Sequence, residues 1–248
     1  MESGVKIQNS KCKVQNFGVA SRRFFYYNIV KTNIFMDKYK DLEEKIKKCC
    51  KCHLRGTCLN VVPGEGDINA NIMFIGEGPG ANEDKQGRPF VGAAGKFLEE
   101  MLLMIGKKRE EVFIANILKC RPPGNRDPLL EEVEACWPWL LEQIKMIRPK
   151  LIVLLGRHAM ERFLPNQKIS KIHGTALRHE LEGVGKQVFY ALYHPAAALY
   201  QGSLREVLIT DFKKIPKVLE AIDKEKNIPN SDIEEKVEVE EKKQEALF

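Results

Sequence analysis

The 248-residue chain lacks any apolar run long enough to cross a bilayer: the longest, Leu151–Leu155 and Val188–Tyr193, are a quarter of the required length. It lacks a recognisable secretory signal, because Asn28 interrupts the only early apolar stretch and no small-residue cleavage site follows. It lacks an even set of cysteines; seven thiols without a secretory signal argue against a disulfide framework. It also lacks a strong charge bias. Forty Lys+Arg against 34 Asp+Glu permit an anionic partner without establishing one. With 44% hydrophobic and 30% charged residues, the composition is that of a soluble globular protein able to bury a sizeable core.

The charge is unevenly placed. Residues 1–35 carry six Lys/Arg and one acid, whereas residues 223–248 carry nine acids and five Lys. The first 35 residues show no periodicity and are expected to be a disordered leader. The Lys/Glu-rich tail from 223 is expected to be solvated and mobile, which leaves 36–222 as the working domain.

Within that domain, Asp37–Lys48 has helical periodicity, and four runs read as buried strands: Asn71–Ile75, Val112–Ile117, Lys150–Leu155 and Val188–Tyr193. Helical patterns separate them. Ala94, Phe97, Leu98, Met101, Leu102 and Ile105 share a face that stops at Gly106. Asp127-Pro128 reads as an N-cap with proline in the first turn of a helix running to about Ile147. A last helix, from Leu204 to about Lys226, should break or bend at Pro216. Alternating strands and helices predict an α/β fold, three-layer α/β/α with a central four-stranded, mainly parallel sheet. Ligands of such sheets bind beyond the carboxyl ends of the strands. Those ends hold Gly76-Glu77-Gly78-Pro79-Gly80, Asn116, Gly156-Arg157 and His194-Pro195.

Two motifs carry chemistry. Cys49-x-x-Cys52, with Cys120 and Cys136 separated by fifteen intervening residues, could hold tetrahedral zinc or an iron–sulfur cluster; buried core thiols are the plain alternative. Cys50 offers another register and Cys58 a substitute ligand, and spacing does not choose between the metals. The loop Gly76-Glu-Gly78-Pro-Gly80-Ala81 formally fits a dinucleotide fingerprint. Gly87 and Pro89 nevertheless deny the long helix whose N-terminus would meet a pyrophosphate. A phosphate-binding Walker loop is excluded because Phe97 follows Gly95-Lys96.

The stretch from Gly76 to Gly95 resembles instead the first motif of the family 4 uracil-DNA glycosylases, which are iron–sulfur enzymes. The likeness continues through Asn116-Ile-Leu-Lys-Cys-Arg-Pro-Pro-Gly-Asn-Arg126 and His194-Pro-Ala-Ala-Ala198, and covers about 37–222. It implies an enzyme that hydrolyses the N-glycosidic bond of deoxyuridine in DNA, single- or double-stranded, during base excision repair. It implies a [4Fe-4S] cluster on Cys49, Cys52, Cys120 and Cys136, with zinc as the less favoured occupant.

By the same resemblance Phe90 stacks on the flipped ring, Asn116 reads the pyrimidine edge, and His194 steadies charge on uracil O2. Gly78 and Pro79 place backbone against the base. Of the nearby carboxylates, Glu77 could orient water and Glu83 could crowd the C5 side, with Asp84 readable as a solvated turn. Arg121, Arg126, Arg157 and Arg205 could meet phosphates, and Leu199 and Tyr200 resemble a wedge entering the emptied base position. The other histidines (53, 158, 173, 179) read as surface or structural. Gln244, Leu247 and Phe248 resemble a truncated sliding-clamp-binding peptide, a match that chance also produces. The expected protein is a cytoplasmic, nucleoid-associated monomer without a membrane partner. The competing class is a non-enzymatic four-cysteine zinc or iron–sulfur DNA-binding module, which would tolerate loss of Asn116 and His194.

Overall fold

A computed structural model describes residues 34–226. The expectations for the leader before residue 34, for the tail beyond 226, and for Gln244, Leu247 and Phe248 lie outside the described residues. The first element is helix α1 at 34–47; the described residues from Leu42 onward form one unit.

The sheet has six strands, in the order β1-β3-β2-β4-β6-β5. They are β1 (Glu65–Gly66), β2 (Ile72–Gly76), β3 (Phe113–Asn116), β4 (Leu151–Leu155), β5 (Ala176–Leu181) and β6 (Gly185–Leu192). The helices after α1 are α2 (Ala81–Gln86), α3 (Ala93–Met104), α4 (Leu130–Ile147), α5 (Arg157–Phe163), α6 (Ile169–Ile172), α7 (Pro195–Tyr200), α8 (Gly202–Phe212) and α9 (Ile215–Lys226).

The four strands expected from the sequence are the parallel centre, β3-β2-β4-β6. β2, β3 and β4 are buried at every position, as strands covered by helices on both faces must be. The expectation of four strands is corrected by two antiparallel edges. β1 is only two residues long and pairs with β3. β5 pairs with β6, and its residues are exposed or half-exposed until Leu181, so it carried no apolar run to read.

One face of the sheet packs Phe74, Ile114, Val153 and Tyr190 against α3, α8 and α9, with the Phe74 and Phe212 rings stacked at 5.6 Å. On the other, Phe163 of α5 lies 5.3 Å from Phe189, and Trp137 of α4 lies edge-on to Phe163. At about 25 cal/mol per Å² of apolar area removed from water, each such aromatic is worth roughly 1.5–3 kcal/mol to this core.

Two boundaries differ from expectation. Helix α4 begins at Leu130, capped at Leu129, whose amide is held by the Glu132 carboxylate at 2.8 Å. Asp127 is therefore no N-cap; it turns outward to pair with Arg157. The last helix is two, because the chain breaks at Lys213–Lys214 and Pro216 sits in the first turn of α9, where its missing N–H costs nothing.

Candidate active site

The carboxyl ends of β2 and β3 lie in register, Gly76 opposite Asn116, and β6 delivers His194 two residues beyond its end. Around these ends lies a cavity of about 290 Å³ lined by Glu77, Gly78, Pro79, Gly80, Glu83, Phe90, Ala94, Asn116, Pro122, Asn125, Arg126, His194 and Ala196. Every residue expected to touch the base lines this one cavity, together with Arg126.

Asn116 is 2% exposed, and its Oδ1 is a buried acceptor without a hydrogen-bond partner. Leaving such an atom unpaired costs about 1–3 kcal/mol. Gly76 makes room for it. A Cβ there would stand 2.6 Å from Oδ1 and 2.7 Å from the Phe90 ring.

Phe90 occupies the left-handed region at φ 50, a cost that its surroundings must offset. Three devices hold it. Glu83 Oε1 accepts from the amides of Val91 and Gly92, each at 2.8 Å. Arg109 donates to the Phe90 carbonyl at 3.0 Å and to that of Pro89, and is itself anchored to Glu65. Gly95 lets the Phe90 carbonyl approach, since a Cβ would fall 1.8 Å from that oxygen. The ring then stacks on His194 at 5.6 Å and 28°.

His194 caps α7: its Nδ1 accepts from the Ala196 amide at 3.1 Å. Burial pushes its pKa down to about 4, with the Glu83 carboxylate pulling weakly the other way. At neutral pH the ring is therefore uncharged, and its proton resides on Nε2.

Glu77 is half-buried, and burial raises its pKa against the opposing pull of His158 and Arg157. Glu77, Asp127 and His158 bring ligand atoms within 4.8 Å of one another. The Arg157 guanidinium stands in this cluster, 3.1 Å from Asp127 Oδ2 and 3.0 Å from His158 Nε2, so a cation is already present. Asp84 is not a solvated turn. It is 3% exposed, and its Oδ1 accepts from the amides of Leu59 and Asn60.

The cysteines form a second cluster. Cys49 and Cys52 stand close enough to Cys136, and Cys52 and Cys136 close enough to Cys120, to act on them electrostatically, and Cys58 stands beside Cys120. Burial is the first cause in each: it pushes the Cys136 thiol up to about 11, and Cys52 and Cys120 upward as well. N–H groups nonetheless point at the sulfurs. Trp139 Nε1 lies 3.1 Å from Cys49 Sγ and the Lys119 amide 3.3 Å from Cys136 Sγ, and the Leu54 and Arg55 amides face Cys52. Donors aimed at buried sulfurs suit metal-held thiolates, since a bound cation supplies the deprotonation that burial opposes. The exposed Cys50 takes no part in this network.

Of the four arginines expected to meet phosphates, three already have carboxylate partners. Arg126 pairs with the buried Glu132, Arg157 with Asp127 and Arg205 with Glu100. Arg121 bonds only the neutral Asn125 Oδ1, at 2.7 Å. Leu199 and Tyr200 end α7 at 43% and 92% exposure. His53, read from sequence as surface or structural, bonds Glu132 at 2.8 Å and so ties the cysteine loop to Arg126 at the cavity wall.

A model of the uracil DNA glycosylase superfamily matches residues 63–220. The chain belongs to this superfamily. Its relatives include the type-4 uracil-DNA glycosylase of Archaeoglobus fulgidus, 50% identical over 187 residues, which cover 73% of this chain and 92% of that one. The type-4 enzyme of Sulfurisphaera tokodaii is 47% identical over 73% of this chain and 84% of its own length. A type-5 uracil-DNA glycosylase of Pyrobaculum aerophilum is 34% identical over 54% of this chain and 65% of that one. The identities place the chain in the type-4 branch, as the motifs implied.

Lys119, Arg109, Glu132 and the Asp127–His158 pair were missed by sequence reading. Only Lys119, a lysine inside the Asn116–Arg126 motif, lay near a signal.

Proposed function

We propose that the chain is a monofunctional uracil-DNA glycosylase that releases uracil from DNA and leaves an abasic site for base excision repair. The observation that carries the reading is the unpartnered Oδ1 of Asn116, buried at the wall of the cavity. Uracil presents an N3–H to such an acceptor. Cytosine presents a lone pair at the same position, which would leave the oxygen unpaired.

A uracil taken out of the stack enters between the Phe90–His194 pair and the Gly78-Pro79 backbone, and stacking returns part of the cost of extrusion. The N–C1′ bond breaks with its electron pair passing to the base, and the negative charge spreads onto O2. The neutral His194 holds its Nε2–H for that oxygen and so stabilises charge that develops only as the bond breaks. Water adds to the cationic sugar. Glu77, half-buried and beside the cavity, orients that water and receives its proton. Glu83 acts by pinning the Phe90 turn, with Oε1 committed to two amides. The same side chain lines the cavity, where it crowds the C5 side against a thymine methyl.

Arg121 meets phosphate, with Arg126, Arg157 and Arg205 contributing once their carboxylate pairs loosen, and Leu199 and Tyr200 fill the emptied base position. The four cysteines 49, 52, 120 and 136 hold a [4Fe-4S] cluster in preference to zinc. The resemblance to the iron–sulfur glycosylases supports this occupant, since four thiolates by themselves suit either metal. The cluster's contribution is structural, fixing the cysteine loop against the sheet. Residues 36–222 form the working domain of a cytoplasmic monomer; among the described residues no helix is long and apolar enough to cross a membrane.

The test is uracil release from a U-containing oligonucleotide, set beside the absorption spectrum and iron content of the same preparation. Release by the brown, iron-loaded protein and its loss in Asn116→Ala are expected. An iron-loaded protein that releases no uracil would overturn the enzyme reading, and a colourless zinc protein the iron reading.

A further inference from the structure

Lys119 is 1% exposed and lies between the two centres already described. Its Nζ donates to Gln143 Oε1 at 2.7 Å and to the Asn116 carbonyl at 3.1 Å. Gln143 is fixed in turn, since its Nε2 donates to the Pro63 carbonyl at 3.0 Å. Both acceptors of the ammonium are neutral, and no carboxylate among the described residues pairs with it. Burial disfavours its charge and Cys136 favours it; the Lys119 amide donates to Cys136 Sγ at 3.3 Å, and Cys120 is the next residue in the chain.

A buried ammonium with only neutral acceptors is costly unless an anion stands close by. A neutral donor would serve Gln143 and Asn116 equally well, so the positive charge itself needs a reason. Four thiolates supply one. They outweigh the two positive charges of either a zinc ion or an oxidised [4Fe-4S] core, leaving a net anion in a buried site.

We infer that Lys119 is the counter-cation of the cysteine-held metal centre and, through the Asn116 carbonyl, the tether between that centre and the uracil-reading amide. This rests on the reading of the cysteines as metal ligands. The inference makes Lys119 a positioning residue, since nothing places it against the base. It also gives the metal centre a path to the cavity only three residues long: Cys136 Sγ to the Lys119 amide, Lys119 Nζ to the Asn116 carbonyl, and Asn116 Oδ1 at the base.

Charge can be separated from shape at Gln143. Gln143→Glu would give the ammonium a carboxylate and cancel its charge from within. Gln143→Leu would remove the hydrogen bonds to Lys119 and to the Pro63 carbonyl and add no charge. The readouts are the rate at which a chelator bleaches the visible absorbance of each holoprotein and the reduction potential of the cluster. Gln143→Glu should lose iron about tenfold faster than Gln143→Leu, with a more negative potential, because a cancelled cation no longer stabilises the anionic centre. Lys119→Met should behave as Gln143→Glu does. Equal rates and potentials for the two Gln143 variants, or a Lys119→Met holoprotein that keeps iron as the parent does, would overturn the inference. A parent protein that holds no metal would instead overturn the reading of the cysteines.

Discussion

Gly76→Ala tests whether the end of β2 is built around the base. The added methyl would stand 2.6 Å from Asn116 Oδ1 and 2.7–2.8 Å from two Phe90 ring atoms, well inside van der Waals contact. Neither neighbour can retreat cheaply. Asn116 is fixed by parallel pairing to Gly76 itself, and Phe90 sits on a turn pinned by Glu83 and Arg109. Overpacking of this kind costs about 1–3 kcal/mol of stability. At about 2–4 °C per kcal/mol for a domain of this size, the melting temperature should fall by a few degrees. Catalysis should suffer more. Displacing the reading amide and the stacking ring by about 1 Å is enough to lower the single-turnover rate on the order of 100-fold. The assay is uracil release at saturating enzyme, with melting followed in parallel. In an Asn116→Ala background the same substitution should lose part of its effect, since one of its two clashes is gone. A Gly76→Ala protein that releases uracil within about threefold of the parent rate would refute this account of the site.

The pH dependence should follow His194. Its pKa is depressed, so the unfolded chain binds the proton more tightly: stability is fully present above about pH 6.5 and is lost as pH falls toward 4. Uracil release should decline first as the Glu77 carboxylate, whose pKa burial raises, takes up a proton, and fall further as the His194 ring becomes charged near pH 4, which a single-turnover profile with Glu77→Gln and His194→Gln controls would show. Glu83→Ala should raise KM more than Glu83→Gln, which keeps an acceptor for the two amides, and should cost about 1–3 kcal/mol in denaturant melts. Arg121→Ala should weaken DNA binding at every sequence and reduce the salt slope by about 1. Arg205→Ala, whose guanidinium already pairs with Glu100 and lies over the Phe97 ring, should change that slope less.

The sheet's parallel centre was legible because β2, β3 and β4 are buried on both faces and therefore written as unbroken apolar runs. β1 and β5 were not, because a two-residue ladder and a polar edge leave no such trace. Glu77, Phe90, Asn116 and His194 could be named because each follows or ends a readable strand or motif. What they rest on could not. Arg109 reaches Phe90 across 19 residues, Gln143 reaches Lys119 across 24, and His53 reaches Glu132 across the cysteine loop. Such pairs are products of folding, with no local period to announce them. The same limit explains Asp127, where Asp-Pro reads as a helix start although Glu132 performs the capping from within α4.

The oxygen left unpaired on Asn116 has a consequence for the end of the reaction as well as its beginning. Once the glycosidic bond is cut, the free base still carries the N3–H that this atom lacks, and departure restores the unpaired acceptor. On the proposed reading of Asn116, free uracil should therefore inhibit the reaction and its escape should pace turnover, which product-inhibition kinetics would show.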